Sequence, residues 1–137
     1  MEPSFWIALL ALGKLYIHTG RTSQALEVLQ KARQFCGGST QPIAMLGYTY
    51  ARLNDRKQAI AALNELESRA ADRYVPPYNF ALVYHGLSDA AQTFAWLEKA
   101  FQARDVLLSA FVNTEPFWDP LRNDSRFVQL IKRMNLA

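Results

Sequence analysis

The sequence predicts an all-α fold, a solenoid of three stacked helix pairs closed by a C-terminal capping helix. Three observations carry that prediction. The 137-residue chain aligns with itself at a shift of 34 residues, and the register holds three times. Within each unit the aligned residues fall three and four apart, the spacing of one helical face. After the third unit, Phe127, Leu130, Ile131 and Met134 form one apolar stripe behind Asp124, a residue type suited to opening a helix.

The repetition is visible by eye. Residues 13–36 read GKLYIHTGRTSQALEVLQKARQFC, and residues 47–70 read GYTYARLNDRKQAIAALNELESRA. Gly13, Gly47 and Ala81 share a column, as do Tyr16, Tyr50 and Tyr84. Further columns hold Ala25, Ala59 and Thr93, then Leu29, Leu63 and Leu97, then Ala32, Leu66 and Ala100. Gly20, Asn54 and Ser88 align at the turn, where a helix C-terminus commonly needs a left-handed residue. The small side chains let paired helices approach closely, whereas large ones would hold them apart.

Taken in order, the first helix is expected over residues 4–18. Phe5, Trp6, Ile7, Leu9, Leu10 and Leu12 make it apolar nearly all round, unlike a helix that faces solvent. Something is therefore expected to pack on it, either preceding repeats or a second copy of the chain, and Phe5, Trp6, Leu9 and Leu12 are the expected self-association face. Its apolar run is expected to be a buried helix rather than a signal peptide, because Glu2 precedes it, Lys14 interrupts it and no small-residue cleavage site follows. It is also far shorter than the roughly 20 apolar residues that span a bilayer. The next helices are expected at 23–35, 40–53 and 56–70. Pro76 and Pro77 open the fifth, 76–86, where a missing amide hydrogen costs little. A sixth follows at 90–103. Beyond Arg104, DVLLSAFVN suits a short helix, TEPFWDPLR a loop, and the segment after Asp124 the covering helix. Such a cover is needed because an open solenoid end exposes apolar surface.

These columns resemble the tetratricopeptide repeat, with its first position at Trp6, Thr40 and Tyr74. The resemblance implies a right-handed α-solenoid and divides a single domain, 1–137, into repeats 6–39, 40–73 and 74–107 and a cap at 108–137. Leu66 and Thr93 depart from the small residues usual at their positions. A narrower resemblance covers residues 74–136. YVPPYNFALVYHGL, FAWLEKAF and EPFWDPLRNDSRFVQLIKRMNL are similar to the repeat-bearing ends of bacterial signalling proteins, among them serine/threonine kinases, nucleotide cyclases and winged-helix regulators. That likeness implies a larger parent protein with its catalytic or DNA-binding part elsewhere.

The composition, half hydrophobic with a net charge of +3, is that of a globular protein rather than a disordered one. Its basic residues are spread along the chain, so no nucleic-acid footprint is expected. Membrane association is not expected either, and a cytoplasmic location is. Cys36 is the only cysteine, which excludes an internal disulfide. No phosphate loop, metal-spaced His and Glu, or nucleophile elbow occurs, so neither an enzyme nor a cofactor or metal site is expected. Cys36 ends a helix, where the dipole opposes thiolate formation. Glu115, Asp119 and Asp124 lack calcium-loop spacing. Phe117, Trp118 and Phe127, set among Arg122, Arg126, Lys132 and Arg133, read as anchors tying the cap to repeat 3.

What remains is an interaction surface. The resemblance implies that first helices line a concave groove, mapping to Ile7, Leu10, Lys14, Ile17 and His18 in repeat 1. Repeat 2 contributes Gln41, Ala44, Tyr48, Ala51 and Arg52, and repeat 3 contributes Val75, Tyr78, Asn79, Leu82 and His85. The expected partner is a protein or peptide, with Tyr48 and Tyr78 as anchors and Lys14 and Arg52 fixing charge. The inner face has two open uses, a peptide groove or a docking face for the protein's own segments. A homodimer through the first helix is the rival mode of association. Co-chaperones of this family grip a C-terminal carboxylate with Lys, Asn and Arg. Leu10, Lys14, Met45, Val75 and Asn79 stand at those positions, three of them apolar, so the polar requirements fail and a chaperone tail is not the expected ligand.

Overall fold

The computed structural model describes residues 5–136. Three helix pairs run in chain order: α1 (Phe5–His18) with α2 (Thr22–Phe35), α3 (Gln41–Arg52) with α4 (Arg56–Ala70), and α5 (Pro77–Gly86) with α6 (Ala90–Gln102). A short α7 (Val106–Phe111), a 3₁₀ turn (Pro116–Leu121) and α8 (Ser125–Leu136) follow, and no strand occurs among the described residues. The expected start of the first helix at residue 4, like the outermost residues of the expected domain, lies outside the described residues. Repeated helix pairs without strands make this an all-α helical-repeat solenoid.

Each pair turns by the same device. Gly20, Asn54 and Ser88 take φ of 79°, 63° and 61°, the left-handed region that ends a helix and reverses the chain. The next amide then donates to the carbonyl of the aligned tyrosine. Arg21, Asp55 and Asp89 reach Tyr16, Tyr50 and Tyr84 at 2.8, 2.9 and 3.1 Å. The three tyrosines thus hold equivalent places in successive layers. Asp55 and Asp89 also cap the helix that follows, accepting from the amides of Gln58 and Gln92, whereas Arg21 leaves α2 without a side-chain cap.

The shared columns form the core. Ala25, Ala59, Leu29, Leu97, Ala32, Leu66 and Ala100 are buried, and Thr93 hides its hydroxyl by donating to the Asp89 carbonyl at 2.7 Å. A methyl group on Gly13 would lie 2.7 Å from Leu29 Cδ2, and one on Gly47 would lie 2.8 Å from Ala62 Cβ and 2.9 Å from Val83 Cγ2. Gly47 therefore sets two spacings at once, α3 to α4 and α3 to α5. Gly86 adds to the second, since a Cβ there would stand 3.0 Å from the Tyr48 carbonyl oxygen. The position aligned with Gly86 in the preceding repeat is Arg52. Accordingly α3 packs closely along α5, while α1 is held mainly by α2 and makes little backbone approach to α3.

The covering helix forms as its stripe predicts. Phe127 and Leu130 are buried, Ile131 and Met134 partly so, and Asp124 accepts from the Arg126 amide at 2.9 Å. Helix α8 lies on α6, where Arg133 forks onto Glu98 with both contacts at 2.7 Å and spreads over the Phe101 ring.

Candidate functional site

The inner wall of the solenoid is built by α1, α3 and α5, and its central part is filled by the chain's own residues 111–121. Two local devices deliver that segment. Arg104 takes φ of 54° after α6, and Asp105 begins α7 by accepting from the Leu107 amide at 2.9 Å. The other carboxylate oxygen of Asp105 accepts from the Tyr78 amide at 2.9 Å, so this buried acid anchors the crossing to the start of α5. Arg122 then gathers the loop, donating to the carbonyls of Val112 and Glu115 and to the Asp119 carboxylate.

At the centre, Trp118 is fully buried, and its indole N–H donates to the Tyr78 hydroxyl at 3.0 Å. The indole stacks on the His85 ring at 4.8 Å and meets the Tyr78 ring edge-on at 5.6 Å. Phe117 is buried between the Tyr48 ring at 4.7 Å and the His18 ring at 4.6 Å. His85 fixes the turn by donating its Nε2–H to the Phe117 carbonyl; a carbonyl can only accept, which sets the tautomer. At the edge, Lys14 pairs with Glu115 at 2.9 Å and lies over the Phe111 ring at 3.9 Å, and His18 is 3.7 Å from the same carboxylate.

Burial shapes the electrostatics. Desolvation raises the Tyr78 hydroxyl well above its ordinary 10.0, outweighing the Trp118 hydrogen bond that opposes it. It also raises Tyr48 and lowers His85; the Phe117 carbonyl opposes the His85 shift and the nearby Arg52 charge adds to it. His85 is thus disposed to stay neutral against its carbonyl and indole partners.

The groove residues expected from sequence divide into three groups. Lys14, His18, Tyr48, Tyr78 and His85 come together around the chain's own segment. Leu10, Ala44, Val75, Asn79 and Leu82 are buried, and Asn79 donates to the Thr40 hydroxyl at 2.8 Å, so none of these five presents a free side chain. Ile7 is open to solvent, Ile17, Gln41 and Ala51 are partly exposed, and Arg52 is exposed. Two expectations need correction. Tyr78 cannot be an open anchor because Trp118 covers it, and Leu9 cannot belong to a self-association face because it is 8% exposed. Trp6, also assigned to that face, packs partly against the core. Phe117 and Trp118 reach all three first helices, not repeat 3 alone.

Sequence reasoning passed over Asp105 and gave Glu115 no partner. A signal for the first exists. A turn residue followed by aspartate occurs as Asn54–Asp55 and Ser88–Asp89, and Arg104–Asp105 repeats it. Nothing in the sequence brings Glu115 to Lys14 across the fold.

An open end of the groove survives beside this filled centre. A cavity of about 290 Å³ is lined by Tyr48, Arg52, His85, Ser88, Phe117 and Pro120, among others. It adjoins a shallow polar recess with Arg52, Asn54 and Arg56. Neither arginine forms an ion pair with a described residue. The described residues hold no cluster of His, Cys, Asp and Glu able to bind a metal ion. Cys36 is buried, with its sulfur 3.2 and 3.3 Å from the carbonyls of Arg33 and Ser39.

Comparison with protein families finds two matches, both described as tetratricopeptide repeat, over residues 7–35 and 41–73. The third helix pair lies outside both matched segments. Comparison with curated proteins and with solved structures found no match.

Proposed function

We propose, on the two segments that match tetratricopeptide-repeat models and on that repeat's general role in protein–protein interaction, that this chain is a non-catalytic module gripping a partner at the open end of its groove. The partner is an extended segment or helix end that sets an acidic residue beside an apolar one. The observation that carries this reading is the pairing of an aromatic and proline wall, Tyr48, Phe117 and Pro120, with Arg52 in the same cavity and Arg56 in the adjoining recess, neither ion-paired with a described residue. The apolar side gives contact area, and the guanidinium groups give direction and register. Lys14 has no part in it, being held by Glu115.

The chain's own segment supports the same chemistry. Glu115 followed by Phe117 and Trp118 shows what the inner wall accepts: a carboxylate at its cationic edge and rings on its aromatic floor. We infer a module of a larger cytoplasmic protein from the resemblance, read in the sequence alone, of residues 74–136 to the ends of bacterial signalling proteins. No described helix is long and apolar enough to cross a membrane. Association through α1 is a second reading, favoured by the exposure of Phe5, Ile7 and Leu15 at 41%, 53% and 56%.

Selection of displayed random dodecapeptides on the full chain tests the groove. Enriched peptides should carry Asp or Glu next to an apolar residue and lose at least tenfold in affinity to the exposed-site variant Arg52→Glu/Arg56→Glu. Enrichment without acids, or binding undiminished by the double change, refutes the reading.

A further inference from the structure

The 34-residue register allows every exposed position of α1 to be compared with its counterparts in α3 and α5. Leu15 is 56% exposed, yet Thr49 and Val83, one and two repeats on, are both at 0%. Ala11 is exposed where Met45 and Asn79 are buried. Leu12 is half-buried where Leu46 and Phe80 are at 3%, and Ala8 is exposed where Pro42 is buried. In α3 this face is covered by α2, and in α5 by α3 and α4. The bare side of α1 is thus the surface that is buried in the later repeats, where α2 lies against α3 and where α3 and α4 lie against α5.

Its chemistry suits the same cover. Phe5, Ile7, Ala8, Ala11, Leu12 and Leu15 present no charge, and Lys14 points to Glu115 on the groove side. A second copy is a poor candidate. The far end of the stack is covered by α8, whose exposed residues include Gln129 and Lys132, so a copy's bare α1 meets no matching apolar face head to tail. A two-fold contact would join two single helices of 14 residues, each about 21 Å long. One helix face falls short of the roughly 800 Å² per partner that a stable interface buries.

We propose that the exposed face of α1 is the docking surface for an amphipathic helical hairpin of the same repeat type, stacked in the same 34-residue register. This deepens the second reading above and stands whether or not the groove binds a peptide. Because packing in solenoids passes from neighbour to neighbour, adding one pair extends the core without altering the repeats already present.

The test uses the chain's own second pair as the probe. Residues 40–73 are fused ahead of residue 6, so that Arg73 joins Trp6 as it joins Tyr74 within the chain. A Leu15→Cys change on a Cys36→Ala background reports cover of the face through its rate of maleimide labelling. The fused protein should unfold in one transition at higher urea than the parent, with labelling slowed at least tenfold. Ile7→Lys/Leu15→Lys in the fused protein should separate the added pair into its own transition. The proposal is overturned if the added pair unfolds separately with labelling unchanged. It is equally overturned if the unfused chain sediments as a dimer that Leu15→Lys converts to monomer, which would make a second copy the occupant.

Discussion

Trp118 is where the filled groove can be weighed. Its indole is fully buried, stacked on His85 and hydrogen-bonded to Tyr78. An indole buries about 150–250 Å², which at about 25 cal/mol/Å² gives roughly 4–6 kcal/mol. Large core aromatics cost about 3–5 kcal/mol when cut to alanine. Since a domain is stable by only about 5–15 kcal/mol, Trp118→Ala consumes much of the margin. The informative change is therefore Trp118→Phe. It keeps an aromatic ring but strands the Tyr78 hydroxyl, at a cost of about 1–3 kcal/mol for the lost hydrogen bond. Tyr78→Phe removes the stranded group, so the double variant should be more stable than the two single losses sum to, by about 1 kcal/mol. Urea unfolding followed by far-UV circular dichroism measures all four proteins. If Trp118→Phe costs less than about 0.5 kcal/mol and the two changes are additive, the indole does not sit in the groove, and the argument for a self-filled inner wall fails with it.

Two further outcomes follow from local geometry. Arg21 has φ and ψ of −92° and 62°, close to the −90° and 72° of Asp55, which caps its helix; Arg21→Asp should therefore stabilise the protein by about 1 kcal/mol, and a melting temperature that stays put or falls would contradict the shared turn geometry. Burial holds the His85 pKa below its ordinary 6.5, so the unfolded chain takes up a proton there before the native one does. The stability present above about pH 6.5 is lost as pH falls through the lower folded value. Urea midpoints between about pH 7.5 and 5 should decline, and less steeply in His85→Gln; equal slopes in both proteins would be the contrary result.

The repeat was readable because it lies in local spacing. Helix positions follow from side chains three and four apart, and the turns follow from Gly20, Asn54 and Ser88, whose backbone demands are local. The predicted helix limits agree with the structure to within a residue at each described end. The cap was legible for the same reason, through the stripe of α8. The filling of the groove was not. Phe117 and Trp118 are visibly bulky, but which wall they meet depends on how α1, α3 and α5 stand to one another, a matter of contacts between residues remote in the sequence. The exposed face of α1 was only partly legible. Uniform apolarity announces that a helix needs cover, but Leu9 and Leu15 are the same residue type, and only the angle at which α2 lands decides that the first is buried and the second bare.

The link between Lys14 and Glu115 joins positions 101 apart in the chain, and it has a consequence for the order in which the molecule is made. A simple row of repeats can fold as it leaves the ribosome, each layer settling on the one before. Here the inner wall of the α1–α2 layer stays unfinished until residues 111–121 have been made. Newly made chains must pass through a stage with Tyr48, Tyr78 and His85 bare, and the late arrival of Trp118 turns a sequence of local events into one all-or-none closure.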